Sequence, residues 1–267
     1  MFYFNDLVPK NFVFVDMRKS HLKYWATIIV PFLLSFLLYR KEHITVYLVG
    51  DSTMCMYRPE QAPLTGWGMP FAYFFDSTVT VKNHAECGES TRTFIEENRW
   101  KAVADSLGAG DYVLIQFGHN DEVPSKESYT TEKNFKANLI RFISETRNKK
   151  AKPILITPVA RRKFDNSGNI QEAHQVYSAI VRNVAHEYKV PLIDLDKKSQ
   201  QLLQKLGPEK SKSLFLGIGV NPYYPKDEED ITHFTKSGAQ KIAEVVLAEI
   251  QELKIELANR IANKNKE

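Results

Sequence analysis

The chain has 267 residues, 43% hydrophobic and 25% charged, with 36 basic against 32 acidic side chains and a formal net charge of +4. These proportions exclude a disordered, collagen-like or polytopic membrane chain, and a chain this long can bury a core without a disulfide or metal staple. The basic residues are scattered, with no Lys/Arg stripe among aromatics to suggest nucleic acid, and two cysteines, Cys55 and Cys87, exclude a disulfide scaffold or a Cys-rich zinc site.

Residues 24–39 (YWATIIVPFLLSFLLY) carry no charge. A spanning helix needs roughly 20 apolar residues, and Pro31 interrupts this shorter run. Arg18, Lys19 and Lys23 lie just upstream, and Met17 offers a second start. A basic stretch before an apolar core reads as an export signal. No A-x-A pattern follows, so retention as a membrane anchor stays open, as does a buried helix of the fold. The expected division is 1–41 as export signal or N-terminal anchor and 42–267 as one domain. That domain is expected in the periplasm or outside the cell, as a monomer.

From His43 onward, short apolar runs alternate with longer amphipathic ones. Residues 44–50, 78–83, 111–118, 152–158 and 190–195 read as strands. Their near-continuous apolar character suits a parallel sheet covered on both faces. Helices are expected over 131–148 and 171–188, and from Thr235, the expected N-cap of the last one. The alternation implies an α/β fold with right-handed crossovers: a three-layer α/β/α sandwich with a five-stranded parallel sheet. The Gly- and Pro-rich stretch 206–230 is expected to be a long loop.

Four short constellations carry chemistry. Gly50-Asp51-Ser52-Thr53 ends the first strand, where ligands of open α/β sheets bind. A Ser opening a helix there would sit among free N–H groups that favour an alkoxide; it could equally be a cap. Gly118-His119-Asn120-Asp121 ends the third strand, and Asn120 offers an amide donor for a developing negative charge. His119 lacks an evident carboxylate partner and reads as structural. Gly88, after the second strand, could bring its backbone N–H close to a substrate oxygen. Asp230-Ile231-Thr232-His233 precedes the last helix; at this spacing Asp230 can orient His233 as a general base.

Together these four resemble the SGNH (GDSL-type) hydrolase family over residues 43 to 250. The resemblance implies a flavodoxin-like fold, with Ser52 as nucleophile, His233 as base and Asp230 as its orienter. It also implies an oxyanion hole from the Ser52 and Gly88 N–H groups and the Asn120 amide. Further blocks, Gly66-Trp67-Gly68, Arg99-Trp100, Thr157-Pro158-Val159-Ala160-Arg161-Arg162 and Phe234 among them, resemble the rhamnogalacturonan acetylesterase subgroup. That implies removal of acetyl groups from a pectic polysaccharide through an acetyl-enzyme. No metal or cofactor is expected, since the histidines lack metal-ligand spacing.

Arg92, Arg161 and Arg162 are the expected binders of galacturonate carboxylates, and Trp67 could stack on a sugar or serve the core. Glu89 stands where the subgroup usually has Arg, which would disfavour a nearby uronate. Cys55 and Cys87 would flank such a site, as a disulfide or as two free thiols. Acetylated xylan and lysophospholipid are the alternative substrates, the latter with Leu214, Phe215, Leu216 and Ile218 as an apolar lid. A silent carbohydrate-binding protein on the same fold is the non-enzymatic alternative.

Overall fold

A computed structural model describes residues 42–220 and 229–262. The apolar run 24–39 lies outside these residues, as do positions 221–228 of the expected loop. The described residues hold five strands: β1 (Ile44–Gly50), β2 (Val79–Asn83), β3 (Tyr112–Gln116), β4 (Lys152–Ile156) and β5 (Leu192–Ile193). All pair in parallel in the order β2-β1-β3-β4-β5. This is the flavodoxin-like order of a doubly wound sheet, as expected.

The period of two along each strand divides the core. Val46, Leu48, Leu114, Ile154 and Ile156 face one layer, and Tyr47, Val49, Val113, Ile115 and Leu155 face the other. The first layer holds α1 (Gly68–Phe71), α6 (Leu195–Ser211) and α7 (Lys236–Glu252), the second α2 (Thr91–Glu96), α3 (Arg99–Ser106), α4 (Glu132–Asn148) and α5 (Gln175–Glu187). Thr235 caps α7 by accepting from the Gly238 N–H at 3.2 Å, and Ala239, Ile242, Val246 and Ile250 are buried beneath it. Among the described residues no helix is long and apolar enough to cross a membrane.

The expected loop 206–230 is corrected at its start. Helix α6 continues to Ser211, broken only at Gly207, whose φ of 73° is left-handed. Pro208 then restarts the helix, a role its fixed φ and missing N–H suit. Several strands also end earlier than expected, because Phe117-Gly118 and Thr157-Pro158 run past the last paired residues.

Register sets the site. Gly50, Gln116 and Ile156 lie in one row across β1, β3 and β4. The strand order reverses between β1 and β3, the switch point where such sheets open a crevice. The chain leaving β1 carries Ser52, and the chain leaving β3 carries Asn120.

Candidate active site

Ser52 does not open a helix. The Met54 and Cys55 N–H groups both donate to the Asp51 carbonyl, at 3.1 and 3.0 Å, and the turn stops there. The next α-helix is α1. What holds this turn is a buried chain of side-chain hydrogen bonds. Trp67 Nε1 donates to Gln116 Oε1 at 2.9 Å, Gln116 Nε2 to Thr53 Oγ1 at 2.6 Å, and Thr53 Oγ1 to Asp51 Oδ1 at 2.7 Å. Trp67 is therefore no platform for a sugar: it is fully buried, and its indole N–H is used inside the core. Gly66 lets this segment approach, since a Cβ there would lie 2.0 Å from the Cys55 carbonyl oxygen. From the other side, the Tyr57 hydroxyl donates to the Ser52 carbonyl at 3.0 Å.

Asp230 and His233 form a self-contained turn. Asp230 Oδ1 accepts the Thr232 and His233 N–H groups, each at 2.9 Å, while Oδ2 lies 3.0 Å from His233 Nδ1. A buried carboxylate facing Nδ1 favours the tautomer with its proton there. Nε2 is then an acceptor, and it lies 3.0 Å from Ser52 Oγ. The hydrogen bonds run unbroken from Ser52 through His233 to Asp230, across 181 positions of sequence between Ser52 and His233.

Gly88 is exposed at the tip of the loop after β2, with φ of 83°, a conformation glycine adopts without strain. Asn120 is held against that loop, its Nδ2 donating to the Glu89 carbonyl at 2.9 Å. Lys126, which sequence reasoning missed, donates from Nζ to Asn120 Oδ1 at 2.6 Å and so fixes which way the amide faces. Burial, with Arg161 nearby, lowers the Lys126 pKa. Only the sequence Lys-Glu-Ser in a polar loop marked this residue, and nothing local distinguishes it from a solvated lysine. A cavity of about 510 Å³ opens here, lined by Cys87, Gly88, Arg92, Asn120 and Lys126 among others.

Glu89 lines this cavity too. Its side chain is buried and paired with Arg99 at 3.3 Å, and burial raises its pKa. The three arginines also have partners within the chain. Arg92 straps the 127–129 loop, donating from Nε to the Tyr129 carbonyl at 3.2 Å and pairing with Glu96. It still lines the cavity. Arg161 donates to Thr232 Oγ1 at 2.6 Å and lies 3.4 Å from Glu122. Arg162 is corrected as a substrate binder: it is buried, ion-paired with Glu229, and donates to the Pro208 carbonyl at 3.1 Å. Its N–H also donates to the Ile231 carbonyl at 2.8 Å, so it fastens the segment bearing Asp230 and His233.

His119 is buried, its Nδ1 3.4 Å from Asp51 Oδ2 and its ring 4.3 Å from that of His174. Burial, and then His174, push its pKa down to about 4, so it is neutral at neutral pH. The carboxylate neighbour that sequence reasoning could not find is Asp51. Asp121 is buried too. Its Oδ1 accepts from the Thr91 N–H at 2.9 Å and the Thr91 hydroxyl at 2.6 Å, yet burial raises its pKa to about 7.

A parallel α/β/α sandwich with a Ser–His–Asp relay at its switch point defines a serine hydrolase of the SGNH type. Residues 48–241 match the GDSL-like lipase/acylhydrolase family, and the chain belongs to that family. It is 41% identical over 227 residues to rhamnogalacturonan acetylesterase RhgT of Bacillus subtilis, covering 84% of this chain and 97% of that one. It is 36% identical to the probable rhamnogalacturonan acetylesterase YesY of the same organism, covering 81% and 96%. The crystal structure of Bacillus subtilis YxiM superposes with a TM-score of 0.72 at 29% identity, over 80% of this chain and 58% of that one.

Proposed function

We propose that the protein is a serine acetylesterase that removes acetyl groups from rhamnogalacturonan through an acetyl-enzyme. The observation that carries this reading is the relay of 3.0 Å contacts from Ser52 Oγ to His233 and from His233 to Asp230. The 41% identity to RhgT supports the substrate.

In this reading Ser52 Oγ attacks the acetyl carbonyl as its proton passes to His233 Nε2. Asp230 stabilises the imidazolium. The negative charge on the carbonyl oxygen is met by the Ser52 and Gly88 N–H groups and the second Asn120 N–H, the first being used on Glu89. His233 then protonates the departing sugar oxygen. Water, deprotonated by His233, attacks the acetyl-enzyme and releases acetate. Lys126 keeps the Asn120 amide aimed. Arg92, at the cavity wall, is the arginine best placed to meet a uronate carboxylate.

We further propose that residues 1–41 direct export, as a cleaved signal or a retained anchor, and that 42–267 act as the catalytic domain. A protein starting at Arg40 is then soluble and active; aggregation would return the apolar run to the fold.

The substrate test is acetate release from acetylated rhamnogalacturonan and acetylated xylan, with fatty-acid release from lysophospholipid beside them. The highest kcat/KM is expected on rhamnogalacturonan. Faster turnover of xylan or lipid would overturn the substrate while leaving the esterase. No turnover on any of them, or on p-nitrophenyl acetate, would favour a silent binding protein.

A further inference from the structure

The chain contains two cysteines, and the fold brings them together. Cys55 closes the turn that carries Ser52. Cys87 directly precedes Gly88 in the loop after β2. They lie 32 positions apart in sequence, yet their sulfurs are in contact at 2.7 Å, both as free thiols. Neither has another cysteine in the chain to pair with. Their environments differ: Cys55 is buried and Cys87 is exposed, at the wall of the cavity beside the oxyanion loop.

We propose that Cys55 and Cys87 are a redox pair whose disulfide ties the nucleophile turn to the Gly88 loop, with Cys87 as the thiol that meets the oxidant. The oxidant is a disulfide, either a small molecule such as oxidised glutathione or a protein disulfide. The Cys87 thiolate attacks one of its sulfurs and expels the other as a thiol, forming a mixed disulfide. The Cys55 sulfur, as thiolate, then attacks Cys87 Sγ and expels the second thiol. Two cysteine thiols and one external disulfide become one internal disulfide and two external thiols, so hydrogens and electrons balance.

The division of labour follows from the surroundings. The hydrogen bond between the two sulfurs lowers the Cys87 pKa, and the same bond, with burial, raises that of Cys55. An exposed thiol held toward its thiolate is the one that reacts first. Cys55 stands behind it and resolves the mixed disulfide, and no large movement is needed because the sulfurs already touch. The covalent step rests on the contact and the unequal exposure of the two sulfurs and does not depend on Ser52 being the nucleophile.

The test uses the full chain, reduced with dithiothreitol and then exposed to oxidised glutathione under native conditions. Remaining thiols are blocked with N-ethylmaleimide in denaturant, and the intact mass is read. The expected product takes up no maleimide and is 2 Da lighter than the reduced protein, which takes up two. Cys55→Ser should retain one stable glutathione on Cys87, whereas Cys87→Ser should leave the buried Cys55 unmodified. Closing a loop of this length should raise the melting temperature by roughly 5–10 °C. Two maleimides after oxidation would overturn the pair. So would a stable glutathione adduct on the wild-type protein, because Cys55 would then be unable to resolve it. Should either variant fail to fold, the wild-type masses alone decide.

Discussion

The two halves of the Ser–His–Asp relay share a local Asp cap but differ in what braces them. Asp51 Oδ1 accepts the Thr53 N–H at 3.0 Å, and the turn carrying Ser52 is braced besides from far away in sequence. Its brace comes from Gln116 on β3 and from Trp67, through hydrogen bonds buried in the core. The turn carrying His233 is held from within, because Asp230 caps the two N–H groups that follow it and orients the imidazole with its other oxygen. Longer contacts only fasten it: Arg162 through the Ile231 carbonyl, and the Leu216 N–H, which donates to the His233 carbonyl at 3.1 Å. The difference matches the proposed roles: the proposed nucleophile is fixed against the sheet, while the proposed base has its tautomer set by its own turn.

Damage to the relay itself should be the largest effect. His233→Ala should lower kcat by about 10⁴–10⁶ with the fold intact by circular dichroism, as members of such a relay act as a unit. A loss under tenfold would remove His233 from proton transfer.

Next come the proposed oxyanion donors. Asn120→Ala should cost about 10²–10³ in kcat with little change in KM, the pattern of a contact made only in the transition state. Lys126→Met should cost less, about tenfold, in the same parameter. His119→Ala should cost less than Asn120→Ala in turnover, since its imidazole is neutral and out of reach of solvent. If His119→Ala were the more damaging at intact fold, the oxyanion assignment would have to be redrawn.

The long-range brace is tested by Trp67→Phe. It leaves the Gln116 side-chain Oε1 buried without its donor, a loss of about 1–3 kcal/mol in denaturant unfolding. Kinetically it should lower kcat as well, because Gln116 holds Thr53 beside the proposed nucleophile. Unchanged stability would mean that the local turn of Asp51 suffices.

The smallest effect is one of slope. Asp121 has a folded pKa of about 7 against 3.8. The folded protein keeps a proton that the unfolded chain releases, so this group makes stability fall as pH rises from about 4 to about 7. His119 does the reverse. Its folded pKa of about 4 lies below 6.5, so stability is gained as pH rises through that window. In the wild type the two oppose each other. Asp121→Asn keeps the acceptor for Thr91 and removes one titration, so unfolding free energy should then rise from pH 4 to 6.5 more steeply than in the wild type. Parallel curves would mean that Asp121 is ionised throughout.

Legibility in the sequence divides along the same line. Most strands were readable as short apolar runs, β2 instead as an alternation of half-buried valines with exposed Thr80 and Lys82, and their parallel pairing followed from the helices between them. Asp230-x-x-His233 was readable because its geometry is local. The brace behind Ser52 was not: Gln116 is a polar residue inside an apolar strand, and nothing local says that it bridges Trp67 and Thr53. Trp67 stayed undecided between substrate and core for the same reason, since an indole suits a sugar wall and a core equally. Arg161 and Arg162 looked like carboxylate binders by type, yet their partners, Glu122 and Glu229, lie far along the chain. Lys126 was invisible because its role depends on where the 127–129 loop folds back, and Arg92 decides that. The kink at Gly207 hid the end of α6 behind a Gly-Pro pair that usually stops a helix.

The central claim, that Ser52 is a nucleophile activated by His233, is tested most directly by covalent labelling. A serine-directed fluorophosphonate should add one adduct per chain, located to Ser52 by peptide mass spectrometry. It should be absent from Ser52→Ala and form far more slowly on His233→Ala. An adduct on another residue, or labelling of Ser52→Ala at the wild-type rate, would contradict the account.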